Sequence, residues 1–147
     1  MDAKVVTVDG FKIIGLEYFG KNLNGEIPAL WTVFNQREEE LKNGLPGGCY
    51  GVCSEMNAEG EFSYVACVQV PHFEEIPAGM VTKQVPPGKY AIFTFKDHLS
   101  KLGEFYNNIY GVWMAELGFQ HDMRPDFEHY DDRFMKNGEF DIYIPIQ

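Results

Sequence analysis

Gly60-Glu61-Phe62-Ser63-Tyr64-Val65-Ala66-Cys67-Val68 returns 78 residues later as Gly138-Glu139-Phe140-Asp141-Ile142-Tyr143-Ile144-Pro145-Ile146. Both are strand-length runs of β-branched and aromatic residues behind a glycine turn. Nearly the same offset lays Lys12-Ile13-Ile14-Gly15-Leu16 over Lys89-Tyr90-Ala91-Ile92-Phe93, so a whole supersecondary unit is written twice. A duplicated unit in one small domain has a single unique seam, and a seam can hold a ligand.

Working outward from the repeat, each half reads strand, strand, helix, strand, strand. In the first half, strand runs at 4–8 and 11–19 flank Asp9-Gly10, a strong hairpin signal. A helix follows over 28–41, with Pro28 in its first turn and Leu30, Phe34 and Leu41 on one face. Gly44 ends it, and strands over 49–55 and 62–70 complete the half. In the second half, strands over 80–85 and 89–95 flank Pro86-Pro87-Gly88. A helix then steps through Leu99, Leu102, Tyr106, Ile109 and Trp113, widened by Phe105, Met114 and Leu117 and stopped at Gly118. Strands over 127–131 and 140–146 close it, with turns at 57–60 and at Lys136-Asn137-Gly138. The expected fold class is α+β: one domain over 1–147, pseudo-repeats of about 1–72 and 79–147, two antiparallel sheets and two main helices around a central groove.

The chain has 147 residues, 45% hydrophobic and 15% aromatic, enough for one proper core and too few for two ordinary domains. Its 22 acidic against 12 basic residues give a formal charge of −10. Nucleic acid and anionic membrane would both be repelled, so neither is an expected partner. Cys49, Cys53 and Cys67 form no disulfide framework and read as reduced thiols. His72, His98, His121 and His129 show no metal spacing, and no nucleotide or cofactor fingerprint is present. With no leader and no run of 18 apolar residues, the chain reads as soluble and cytoplasmic.

The halves differ most at their third strands, where Tyr50-Gly51-Val52 lies over Phe127-Glu128-His129. One half has glycine where the other has a carboxylate. Alternation puts Glu128 and Tyr130 on one face and Phe127 and His129 on the other. A strand glutamate ordinarily faces solvent; the aromatic flanks and the glycine opposite favour the seam instead. A carboxylate there costs several kcal/mol unless something pairs with it. A lipophilic cation held by aromatic walls is one such partner. The same acid could equally move a proton as a general acid or base. Trp113, Tyr106 and Phe105 sit at helical spacing, which fits a core. Phe93 and Phe95 share one face of their strand, and Tyr143 stands on the last strand with a polar handle.

Pro87-Gly88-Lys89-Tyr90-Ala91-Ile92-Phe93-Thr94-Phe95, the helix ending Ile109-Tyr110-Gly111-Val112-Trp113-Met114, and Asp126-Phe127-Glu128-His129-Tyr130 together resemble the GyrI-like (gyrase-inhibitor-like) effector-binding family. Tyr50-Gly51-Val52 and the strand over 62–70 fit its first half, so the resemblance covers nearly the whole chain. It implies two tandem SHS2-like modules flanking a groove, and a domain that serves regulators as a drug sensor or occurs alone. It also implies that Glu128 meets cationic ligands, with Tyr143, Phe95, Phe93, Tyr130 and Trp113 as aromatic wall positions and no cofactor. In some stand-alone members the same glutamate serves hydrolysis of cyclopropane-bearing DNA alkylators, so Glu128 is also the catalytic candidate. With no DNA-binding domain read in this chain, the expectation is a stand-alone binder of lipophilic or cationic small molecules. The alternatives are a hydrolase of strained electrophiles and a protein-interaction module.

Overall fold

The structure, a computed structural model, describes residues 2–147. In chain order the elements are β1 (Lys4–Val8), β2 (Phe11–Gly20), α1 (Glu26–Arg37), β3 (Cys49–Ser54), β4 (Phe62–Val70), β5 (Val81–Val85) and β6 (Gly88–Lys96). They continue with α2 (Leu102–Asn108), a π-helical turn (Ile109–Trp113), α3 (Met114–Glu116), β7 (Asp126–Tyr130), α4 (Asp132–Asn137) and β8 (Glu139–Pro145). The eight strands form one antiparallel sheet in the order β1-β6-β8-β7-β3-β4-β2-β5. The duplicated α+β body is there. Its two four-stranded halves join edge to edge through β3 and β7 rather than standing as separate sheets.

Neither expected hairpin forms. β1 pairs with β6 and β2 with β5, so each half lends its first strand to the other. An Asp-Gly hairpin turn needs positive φ at both central residues. Gly10 has φ 88°, but Asp9 is not in the left-handed region. Pro86 and Pro87 are held at negative φ and have no N–H to donate. Both links therefore run across the seam, and they touch there: a Cβ on Gly10 would lie 2.9 Å from the Val85 carbonyl oxygen.

The helices lie on one face of the sheet. α1 starts behind a left-handed Gly25, carries Pro28 in its first turn and covers β2 and β4 with Phe34 fully buried. It ends at Arg37, and a 3-10 turn over Glu38–Glu40 carries the chain on to Leu41. The second helix is not the single stripe expected. Leu99 sits in a preceding 3-10 turn and is exposed. Leu102, Phe105, Tyr106, Ile109, Trp113 and Met114 pack on the second half's core. Gly118, at φ 75°, then stops it, with Phe119 N–H returning to the Met114 carbonyl. The expected turn at Lys136-Asn137-Gly138 is the end of α4, which the Asp131 carboxylate caps by accepting from Arg133 N–H.

A third apolar cluster fills the opposite face and combines Ile13, Val65, Tyr90 and Phe127 with Val6 of β1 and Val81 of β5. Those two strands are the opposite edges of the sheet, so the sheet curls about this cluster like half a barrel. Cys67 is buried and Cys49 and Cys53 are half-buried, all as free thiols. Among the described residues no helix is long and apolar enough to cross a membrane.

Candidate functional site

The β3–β7 pairing sets Gly51 directly opposite Glu128. These two positions are also each other's counterparts in the repeat, so the pseudo-twofold axis passes between them. At an axis of this kind two side chains would compete for one space. Here Glu128 takes it: a Cβ on Gly51 would lie 2.8 Å from Glu128 Oε1 and 2.0 Å from the Tyr64 hydroxyl. The glycine is what admits the carboxylate.

Glu128 is 4% exposed, and its partners come from both halves. The hydroxyls of Tyr64 on β4 and Tyr130 on β7 both donate to Oε1 at 2.7 Å. The Tyr106 hydroxyl on α2 donates to Oε2 at 2.6 Å. Trp31 on α1 donates its indole N–H to the Tyr64 hydroxyl at 2.9 Å, fixing which way that hydroxyl points. Its ring meets Tyr130 edge to face at 5.3 Å, which closes the seam between the halves. No Lys, Arg or His pairs with Glu128 among the described residues.

Burial pushes the Glu128 carboxyl up from its ordinary range, and the Tyr106, Tyr130 and Tyr64 hydroxyls pull it back. Burial, and then the nearby carboxylate, hold all three phenols well above their usual range, so they stay hydroxyl donors. Each hydrogen bond to a charged group is worth about 1.5–3 kcal/mol. Three of them offset much of the several kcal/mol that a desolvated carboxylate costs. One strand position pair away, Asp126 accepts from the Tyr110 hydroxyl and has His121 at 3.6 Å.

The structure brings Glu128 and Tyr130 together. Phe93 and Phe95 share their face of the sheet but are buried beneath the second helix, Phe93 stacked on Trp113 and Phe95 against Phe105 and Phe140. Phe140 in turn meets Tyr130 at 4.5 Å, so these rings back the site rather than line it. Tyr143 lies on the other face, stacked on Phe127 at 4.5 Å. It borders a separate cavity of about 750 Å³ with Val6, Ile92, Thr94 and Arg133. Alternation is the reason, because Tyr143 pairs in register with Phe127 and not with Glu128.

Tyr64, Tyr106 and Trp31 were not singled out as site residues by sequence. Tyr64 carried one signal: its counterpart in the repeat is Ile142, so a hydroxyl breaks the symmetry of an apolar strand.

Residues 4–146 match the family described as Cass2, integron-associated effector binding protein. The transcriptional regulator BrlR of Pseudomonas aeruginosa is 39% identical over 151 residues. That alignment takes in 99% of this chain and 56% of BrlR, so the chain spans about half the length of this relative. Among solved structures, SAV2435 bound to tetraphenylphosphonium superposes with a TM-score of 0.79 at 18% identity, covering 100% of this chain and 94% of that one. The Vibrio cholerae integron cassette protein VCH_CASS2 gives 0.70 at 17% identity, covering 99% and 95%. At such identities these likenesses speak for the fold.

Proposed function

The chain belongs to the Cass2 family of integron-associated effector binding proteins, and on that premise we propose that it binds lipophilic organic cations at Glu128, as a drug or toxin sensor or sequestering protein. Glu128 is the counter-ion, and the rings of Tyr64, Tyr106, Tyr130 and Trp31 are the walls. One observation carries the reading: a carboxylate 4% exposed, in an aromatic setting, whose partners among the described residues are all neutral hydroxyls. Such a group has its hydrogen bonds but finds no counter-charge among the described residues, and a cation over aromatic faces supplies about 0.5–2 kcal/mol per well-placed ring besides. Support comes from SAV2435, which was solved with a lipophilic cation. The kinship with BrlR supports a link to regulation.

Entry requires the seam between the halves to part where Trp31 of α1 meets Tyr130 of β7. The test is thermal unfolding with tetraphenylphosphonium. At about a hundredfold excess over its dissociation constant, binding to the folded state adds about 2.7 kcal/mol, or roughly 5–10 °C for a domain of this size. In Glu128→Gln the shift collapses. An equal shift in that variant refutes the assignment. Turnover of a cyclopropanoid alkylator that is lost in Glu128→Gln would select the hydrolase reading instead.

A further inference from the structure

The hydrogen bonds at Glu128 bear on which cations the site takes, an inference that rests on the cation-binding reading above. An ionised carboxylate offers about four acceptor positions, two on each oxygen. Oε1 is filled by Tyr64 and Tyr130, and Oε2 is half filled by Tyr106. Trp31 already donates to the Tyr64 hydroxyl, so Tyr64 has no freedom to turn its hydrogen away. No buried side-chain nitrogen or oxygen among the described residues lacks a partner. Once ionised, the carboxylate therefore presents its charge and the surrounding ring faces with at most one free acceptor position.

We propose that the site selects onium cations, meaning quaternary ammonium, phosphonium and their like, and excludes amidinium and guanidinium groups. A fork of two parallel N–H donors needs one free position on each carboxylate oxygen, and Oε1 has none. An amidinium entering here satisfies one N–H on Oε2 and leaves the others stripped of water, each a costly loss. A quaternary centre has no N–H to strand. It meets Glu128 by charge and the rings of Trp31, Tyr64, Tyr106 and Tyr130 by cation–π attraction. The chemistry sorts permanently charged, lipophilic compounds from arginine side chains and similar fork donors, with the tyrosine hydroxyls acting as occupants of the acceptor positions. In this role Tyr130 and Tyr64, which fill Oε1, are specificity-determining residues.

A pair of ligands matched in size tests it: biphenyl-4-yl-trimethylammonium and biphenyl-4-carboxamidinium, each titrated as a competitor of bound tetraphenylphosphonium on the intact chain at pH 7. The trimethylammonium compound should displace at least about tenfold more tightly, which is about 1.4 kcal/mol. Tyr106→Phe removes one donor and opens Oε2 fully, and Tyr130→Phe opens a position on Oε1. Tyr130→Phe should bring the ratio to within about threefold, chiefly by strengthening the amidinium, whereas Tyr106→Phe leaves Oε1 filled and should keep the ratio near its parent value. Equal competition in the parent protein, including no competition by either compound, overturns the proposal. So does a tenfold preference that Tyr130→Phe leaves unaltered, because the filled Oε1 is then not its source. If tetraphenylphosphonium itself does not bind, it is the underlying cation-binding reading that has failed, and direct titration reports that separately.

Discussion

At the Gly51–Glu128 pair the protein holds an acid where folding alone would prefer a neutral residue. Burial is the largest influence on Glu128 and raises its affinity for a proton, so the folded state holds that proton to higher pH than the unfolded chain does. The sign follows: the contribution is most favourable below the unfolded value and is lost as pH rises through the folded one, after which every folded molecule carries a desolvated charge. Glu128→Gln should therefore be more stable than the parent at pH 8, by about 1–3 kcal/mol, with the difference shrinking toward pH 5. Melting curves of both proteins across that range check this. Taking the difference between them cancels the opposite trend from Glu17, Asp122 and Asp131, whose cationic and hydrogen-bonded partners lower them. A variant that loses stability relative to the parent as pH rises would contradict it. Together with a loss of cation binding in the same variant, the expected gain in stability would mark Glu128 as a residue kept for function at a cost in stability. Its place on a strand opposite a glycine was legible in sequence, because the repeat fails there. The Tyr64–Trp31 relay was not, since the two lie 33 residues apart and each alone reads as core.

At the scale of elements, the second helix is matched to β7 by a coincidence of pitch. Tyr106 and Tyr110 stand four residues apart on the helix, a rise of about 6 Å. Their acceptors Glu128 and Asp126 stand two apart on the strand, about 6.8 Å, and the two hydroxyls meet them in antiparallel order. Helical spacing was legible for Tyr106, but that spacing says only which face is shared, not what it faces. The π-turn had no sequence signal beyond Gly111. Glycines at these elements give a paired prediction of opposite sign. Gly103 lies exposed within α2 with nothing within 4 Å of a built Cβ, so Gly103→Ala should stabilise by about 0.5–1 kcal/mol. Gly138 has equally open space, but at φ 73° it forms the left-handed cap of α4, so Gly138→Ala should destabilise by about 1 kcal/mol. Denaturant midpoints at unchanged slope measure both. Two shifts of the same sign would mean that backbone conformation is not what separates these glycines.

For the whole molecule, the duplication was legible and the exchange of first strands was not. A two-residue link fits a hairpin and a crossing equally well by length, and only the backbone angles at Asp9-Gly10 and the two prolines separate them. Three of the seven strand pairings are bonds between halves: β1–β6 and β2–β5 through the exchange, and β3–β7 through the edge-to-edge junction. The exchange also routes Val6 and Val81 from opposite edges into one cluster. Neither half then has a complete sheet of its own, since β1 leaves the first and β5 the second. A protease site inserted between Glu75 and Ile76, in the exposed connector, should be cut without separating the molecule. The nicked protein is expected to elute as one particle of full size, keep its circular dichroism and still bind tetraphenylphosphonium. The two fragments, parted in denaturant and diluted singly, should stay unfolded, and they should recover the native spectrum only when mixed. A pair of fragments that separate after the cut and fold independently would show that the halves pair their own first strands, and the crossed topology would be wrong.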